Sequence, residues 1–415
     1  MNPLDAEAIV IGAGPAGLAA AHALAMRGVK RVSVIDRDDE AGGLPRFCRH
    51  LGFGWEYTRR LETGPGLARR LLHALDPSRV TVMTRATALA IHPGPEVEIV
   101  SPDAGHVRAR PRTVILATGI RERPRSARLV PGRRPEHGIL STGQLQQMVA
   151  RGVAVGGKRA VIVGTEHVAF SVLLTARHAG LRIVAMVEPQ DRVMSYAGAG
   201  WFARALGVPI HLSSAIDDIK GSERVESIAL RGKNGSTTLP CDTVIFTGDF
   251  VPESALLHAS DIDVDRLTGG PMVDQFGRTG ASGVFAAGNL LRAVESSGMA
   301  AIEGDRVGAN AAAYIQGSLG WNGGAAHVSL GDGLAYLVPQ RWAPVENRAI
   351  HAQSLPISLR ATADARGRIR LSQHGRELWT SGPLRLRRQR RIKISSAIFA
   401  NLTDGAPAAL TVSAP

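Results

Sequence analysis

The stretch Ala8-Ile-Val-Ile-Gly12-Ala-Gly14-Pro15-Ala16-Gly17-Leu-Ala-Ala-Ala governs how the rest of this chain is read. Its four apolar residues have the run length of a strand buried on both faces, and the Ala-rich run that follows reads as a helix. Between them lies the spacing G-x-G-x-x-G. A second apolar run, RVSVID, ends at Asp36, 19 residues after Gly17. The three glycines have distinct roles. Gly12 permits the tight turn, Gly14 lets a pyrophosphate approach the backbone, and Gly17 lets helix lie on strand. Phosphates then meet the helix N-terminus, where free N–H groups and the dipole favour anions. Asp36 is placed to accept from ribose hydroxyls. The stretch predicts dinucleotide binding.

Further along the chain, a similar strand–turn–helix–strand unit occupies residues 158–188, about 150 residues on. Two such openings predict two Rossmann-like domains in an α/β chain. Further strands break into glycine at Ala117-Thr118-Gly119 and at Gly248, and a third ends at Gly288-Asn289 ahead of a helical run from Ser297. Beyond a Gly-rich segment at 317–324, apolar and polar residues alternate, which predicts a small β-rich C-terminal domain. The expected layout is a discontinuous FAD-type domain (1–125 and 265–322), an inserted NAD(P)-type domain (126–264) and the C-terminal domain (323–415).

Composition narrows the classes. The chain has 415 residues, 44% hydrophobic and 20% charged, with a net charge of +13. Such an apolar chain is not disordered. Aromatics are only 4%, too few for a stacking surface on single-stranded nucleic acid. Residues 331–415 hold thirteen Arg and Lys against five Asp and Glu, so +8 of the charge belongs to the tail. The two cysteines, Cys48 and Cys241, form no CxxC, zinc-type cluster or disulfide framework, so no metal is expected. Asp5 and Glu7 stand where an export signal wants positive charge, and no apolar run reaches membrane-spanning length. A cytoplasmic location is the expectation.

These motifs together resemble the two-dinucleotide-binding-domain flavoproteins of the pyridine nucleotide-disulfide oxidoreductase superfamily. The stretches GGLPRFCRHLGFGWEY (42–57), TGPGLARRL (63–71), 121–149 and VDQFGRTGASGVFAAGNLLRAVES (273–296) resemble one subgroup more closely. It contains the A subunits of opine oxidases, hydrogen cyanide synthase and related amino-acid dehydrogenases, with flavoproteins encoded beside glycerol-3-phosphate dehydrogenases. The resemblance implies FAD on the first cradle, held by Gly12, Gly14, Pro15, Ala16, Gly17, Asp36, Gly43 and Arg46. It also implies flavin contacts from Ala117, Thr118 and Gly119, from Gly288 and Asn289, and from Ser297 and Met299 at the start of the last helix. Asn289 stands where the family usually has an Asp bonded to the ribitol chain.

Three departures constrain the chemistry. The redox-active cysteine pair is missing, so disulfide reduction is not expected. The second cradle reads Gly164-Thr165-Glu166-His167-Val168-Ala169, with a carboxylate in place of the glycine that admits a pyrophosphate. Glu188 ends the next strand and suits an NAD ribose better than an NADP phosphate. NAD(H) is therefore a doubtful second ligand. No cysteine follows Cys241, so the [2Fe–2S] centre of some subgroup members has no thiolates here. Cys48, His50 and Glu295 are the catalytic candidates; small packing residue, ordinary histidine and helix cap are the plainer alternatives. His167 lies in the second nucleotide-side loop.

The basic run from Arg385 to Lys393 has three readings: an exposed strand with edge charges, a dock for an acidic partner subunit, or a nucleic-acid patch. The first two are preferred, and no nucleic-acid partner is expected. The expected function is FAD-dependent oxidation of an amino-acid-like or polyol-phosphate small molecule, with electrons passed to a second dehydrogenase subunit or a small electron carrier. The alternatives are a stand-alone NAD(P)H-dependent flavin reductase feeding such a carrier, and a non-catalytic flavin-binding scaffold subunit.

Overall fold

The computed structural model describes residues 5–413 apart from 197, 234, 322–323, 344–353, 389 and 403. The first domain begins with β1 (Ala8–Ile11), α1 (Pro15–Met26), β2 (Val32–Ile35), α2 (Gly64–His73), β3 (Val80–Met83) and β4 (Thr113–Leu116). The second contains β5 (Ile139–Ser141), α3 (Thr142–Ala150), β6 (Arg159–Val163), α4 (His167–His178), β7 (Arg182–Val187), β8 (Ile210–His211) and β9 (Thr243–Phe246). The chain then returns to the first domain as β10 (Val284–Ala286) and α5 (Ser297–Ile315).

Each domain is built on a five-stranded sheet, ordered β10-β4-β1-β2-β3 and β5-β9-β6-β7-β8. All neighbours in both sheets run parallel, the arrangement whose crossovers cover both faces of such apolar strands. β1 lies at the centre of its sheet, Ala8 beside Val32 on one side and Thr113 on the other, and all four of its residues are buried. The chain therefore has the two-Rossmann α/β architecture that the paired motifs predict. Each domain also carries a three-stranded antiparallel meander, at 87–109 in the first and 214–240 in the second. Ile91, Val97 and Ile99 of the first meander belong to the same core as β1.

An antiparallel ribbon, Ile120–Glu122 against Phe250–Pro252, carries the chain out of the first domain and back. The return falls earlier than the sequence pattern places it. That pattern assigns residues 253–264 to the inserted domain, yet Leu256, Leu257 and Ile262 are buried in the first domain's core, and the Ser260 hydroxyl accepts from the Ile91 N–H (2.9 Å). The reason is packing: apolar side chains past Pro252 have the first meander to lie on.

The C-terminal part is β-rich, with a six-stranded sheet and a separate pair, Leu334–Val338 with Ser358–Ala361. Its own core includes Trp342 stacked on Phe399, ring centroids 4.1 Å apart and planes within 9°. Such a pair contributes about 0.5–1.5 kcal/mol beyond its area burial. It is not an independent appendage. Tyr336, Val338 and Leu355 are buried in the first domain's core, and Gln275 exchanges two hydrogen bonds with the Ala343 backbone (2.6 and 2.9 Å). The boundary drawn at 322/323 lies outside the described residues. Of the basic run, Leu384–Leu386 form a strand and Ile392 makes one bridge to Leu359; the described residues between them lie outside strands.

α1 is packed between β1 and α5 at backbone distance. A Cβ at Gly304 would overlap the Ala16 carbonyl, and one at Gly308 would overlap the Ala20 carbonyl. Small residues all along α1, largely Ala, let the helix sit this close. Gly304→Ala is accordingly expected to lower stability by about 1–3 kcal/mol through overpacking. Thermal melting of the purified variant measures it, and an unchanged midpoint would contradict the contact.

Candidate cofactor site and interdomain cleft

The first cradle forms where β1 breaks into α1. Gly12 has φ +107°, a conformation that favours glycine, and a Cβ there would overlap the Ala117 carbonyl at the end of β4. A Cβ at Gly17 would overlap the Gly12 carbonyl. Gly14, by contrast, faces open space with only Gly43 near, at 4.0 Å from where its Cβ would lie. α1 begins with Gly14 as N-cap and Pro15 in the first turn, and no side chain caps it. An uncapped helix end, opened by a glycine that clears its approach, is what a pyrophosphate requires. Asp36 stands at the rim: Oδ2 accepts from the Ala13 N–H (2.6 Å) and Oδ1 from the Asp38 N–H (2.9 Å), which aims the carboxylate across the loop. The cradle fits the adenylate and pyrophosphate half of FAD.

The strand end at 117–119 is stitched to the crossover. Thr118 Oγ1 donates to the Glu253 carbonyl (2.9 Å), and the Glu253 N–H donates to the Gly119 carbonyl (2.9 Å). The Glu253 carboxylate in turn pairs with Arg37 (3.3 Å), next to Asp36. Glu253 escapes a reading of the sequence because this partnership spans more than 200 residues.

Several candidates have other work. Arg46, expected toward phosphate, is nearly buried and held by Asp38, Asp39 (3.6 Å) and Glu40 (3.3 Å), with the Phe47 ring 4.5 Å below it. Its charge is balanced by this acidic trio. Asn289 does not present a free amide: Nδ2 donates to the Glu295 carbonyl (3.1 Å) and Oδ1 accepts from the Glu295 N–H (2.9 Å). It clamps the loop leading into α5. Glu295 is likewise engaged, its Oε1 accepting from Ser358 (3.1 Å) and lying 3.5 Å from Arg360. It anchors the C-terminal part.

The start of α5 holds another carboxylate that the sequence pattern does not reveal. Ser296 is the N-cap and accepts from the Met299 N–H (3.2 Å), with Ser297 opening the helix. The Ser296 hydroxyl donates to Glu56 Oε1 (2.8 Å), and a Cβ at Gly298 would overlap Glu56 Oε2. Glu56 thus sits on the positive end of the helix dipole. Behind it Arg292 and Glu303 form a fully buried bidentate pair, and Arg292 also donates to the Gly288 carbonyl (3.1 Å).

In the second cradle Glu166 is turned inward. A Cβ at Gly164 or Gly248 would lie 2.6 or 2.7 Å from its carboxylate oxygens, so the carboxyl lies in the mouth of the loop. Its Oε1 is buried without a hydrogen-bond partner, and burial pushes its pKa upward against a lowering contribution from Thr247. Glu188 mirrors Asp36: Oε2 accepts from Thr165 (2.6 Å) and Oε1 from the Gln190 N–H (2.9 Å). The rim carboxylate of the first cradle thus has its counterpart here, while the Glu166 carboxyl fills the mouth of the loop.

Between the domains runs a cleft of about 720 Å³, lined by Arg46, Arg49, Arg69 and Arg151 with Asp39 and Glu40. Cys48 lies beside it, its thiol donating to Gln146 on α3 (3.4 Å). Burial, with Glu122 adding to it, pushes that thiol up to about 12, and Cys241 is pushed up to about 11 by burial and Asp242. Neither is a nucleophile near neutral pH. His50 donates from Nδ1 to the Leu51 carbonyl (2.9 Å) and packs on Phe53. Burial, and then His50 nearby, hold His167 below its usual range. Among the described residues no cluster of three or more His, Cys, Asp or Glu is arranged for a metal.

This fold and cradle define a dinucleotide-binding flavoprotein oxidoreductase with two Rossmann domains. The chain belongs to the pyridine nucleotide-disulphide oxidoreductase family, whose model matches residues 6–304. Members of that family carry FAD. The chain is 29% identical over 298 residues to a ferredoxin–NADP reductase of Nocardioides sp., covering 70% of this chain and 86% of that protein. It is 26% identical over 314 residues to the opine oxidase A subunit of Agrobacterium tumefaciens, covering 68% of this chain and 61% of that protein. Among solved structures, thioredoxin reductase of T. acidophilum superposes with a TM-score of 0.61 at 19% identity, covering 75% of this chain and 98% of that one.

The cysteines provide a direct check of the site chemistry. At about pH 8, where an ordinary thiol reacts, neither Cys48 nor Cys241 should be labelled by a thiol reagent in the native protein, and both should be labelled after denaturation. Rapid native labelling of Cys48 would contradict its buried setting.

Proposed function

We propose that this chain is the FAD-bearing A-type subunit of a hetero-oligomeric dehydrogenase or oxidase. It takes electrons from an amino-acid-like or polyol-phosphate substrate and passes them to a second subunit or a small electron carrier. The observation that carries this reading is Glu166: a carboxyl in the mouth of the second cradle opposes a nicotinamide dinucleotide's pyrophosphate, so the electron donor is a different molecule. The likeness to the opine oxidase A subunit supports it, as does the lack of a thiol pair for disulfide exchange. Among the described residues no helix is long and apolar enough to cross a membrane; a cytoplasmic site of action is part of the proposal. We place the domain limits at the ribbon, so that the inserted domain runs from about residue 123 to 249.

Bound FAD supplies the two-electron chemistry. The chain's own residues bind and orient. Gly12, Gly14 and Gly17 shape the pyrophosphate cradle at α1, with Asp36 toward the ribose. Gly288 and the Asn289–Glu295 clamp set the path of the loop before α5. Arg49 and Arg69, lining the interdomain cleft beside the paired Arg46 and Arg151, offer an anionic substrate group charge-assisted hydrogen bonds. A carboxylate or phosphate on the substrate is consistent with both proposed classes.

The second reading, a reductase fed by NAD(P)H, is favoured by the ferredoxin–NADP reductase likeness and by the intact Glu188. Anaerobic mixing separates the two. NADH should reduce the flavin of the wild-type protein slowly or not at all, and fast bleaching would overturn the subunit reading. Glu166→Gly should speed reduction by NADH at least about tenfold, with Glu166→Gln, which keeps the bulk, gaining less. For the first cradle, Gly14→Val should leave the protein folded and cut its FAD affinity by about tenfold or more, read by flavin absorbance after gel filtration. Full FAD retention in that variant would place the cofactor elsewhere.

A further inference from the structure

We propose that the outer face of the C-terminal sheet, carrying Arg366, Arg368, Arg370 and Arg385, is a docking surface for an acidic protein. The strand Ala365–Gln373 buries Gly367, Ile369 and Leu371, so the intervening arginines all emerge on the opposite face. Register adds to the concentration of charge. Arg366 pairs directly across the ladder with Arg385, while Arg368 and Arg370 lie opposite Ser413 and Thr411. Short polar neighbours give these guanidinium groups little cover. Like charges directly opposite in an antiparallel pair destabilise the sheet. Neither Arg366, Arg368 nor Arg385 has an ion-pair partner among the described residues; the carboxylates nearby go to Arg370 from Glu377 (3.4 Å) and to Arg387 and Arg192 from Asp364 (3.6 and 3.3 Å). Arg368 donates to the Ser381 carbonyl (3.3 Å), so the uncompensated charge is centred on the Arg366/Arg385 pair, and an external anionic surface resolves that conflict.

A protein surface fits this face better than a nucleic acid. Glu377 and Asp364 stand among the arginines and would meet a continuous phosphate backbone unfavourably. Among the described residues, Trp342, Trp379 and Phe399 pack into or against this domain's core and Tyr336 into the first domain's, so they form no stacking platform on this face. The charge is carried by arginine, whose planar fork pairs bidentately with carboxylates. This deepens the subunit reading by giving the partner a location. It is tested by binding and melting, with no redox assay, so it can fail while the redox reading stands, and the reverse.

The probes are a labelled oligoglutamate peptide and a labelled DNA duplex of equal charge, titrated at matched ionic strength against the intact chain. The peptide should bind more tightly than the duplex. The double variant Arg366→Thr/Arg385→Thr should weaken peptide binding about tenfold and flatten its salt dependence. Because the like-charge pair is gone, its melting midpoint should rise by about 1–3 °C. Arg108→Thr/Arg110→Thr, which removes the same charge at the end of the first meander, should leave the peptide affinity unchanged. Equal weakening by both double variants, tighter binding of the duplex, or a melting midpoint that does not rise would each overturn the proposal.

Discussion

Everything else in the molecule is built around how closely α1 approaches the backbone on either side of it. At Gly17 the helix lies against the Gly12 carbonyl, and on its other flank Gly304 and Gly308 of α5 meet the carbonyls of Ala16 and Ala20. A single Cβ at any of these points would force the helix outward. Because β1 is the central strand, such a shift would also move the turn that presents the α1 N-terminus. The anion cradle is thus a by-product of packing: the glycines that let three elements touch also leave the helix end bare.

Around that fixed point the protein disposes its charges in two ways. Some are consumed internally. Arg46 is balanced by Asp38, Asp39 and Glu40, Arg292 by Glu303, and Glu295 by Ser358 and Arg360. These pairs tie the first domain's loops to one another and to the C-terminal part. A buried pair of the Arg292–Glu303 kind contributes little net stability, yet removing one partner strands a charge and is strongly destabilising. Others, such as Arg49 and Arg69 at the interdomain cleft and Arg366 and Arg385 on the C-terminal sheet, have no ion-pair partner among the described residues.

The two cradles show one architecture carried to different ends. Asp36 and Glu188 terminate equivalent strands and each accepts from its own glycine-rich loop and from the residue two positions on. The difference lies at one position. Gly14 leaves the first helix end open, while Glu166 folds its carboxyl between Gly164 and Gly248 and fills the second. Burial raises the proton affinity of that carboxyl, so the folded chain holds it more readily protonated, and its contribution to stability diminishes as pH rises through the carboxylate range.

The part of this protein legible in the bare chain is the part governed by local backbone physics. Periodicity and glycine spacing specify both Rossmann units, the turn at Gly12, the obstruction at Glu166 and the alternating strands of the tail, because a tight turn or a period of two is a property of adjacent residues. Where long side chains spend their charge is settled only by the folded arrangement. Glu56 reaches Ser296 across 240 positions, Glu253 joins Arg37 across 216, and Arg46 turns from phosphate to its acidic neighbours. The same arrangement brings residues 253–264 into the first domain and sets Arg366 opposite Arg385. None of these is encoded in a local pattern. An ion pair or a cross-strand register exists only after distant segments have been brought together, and the choice of partner then follows from burial and distance.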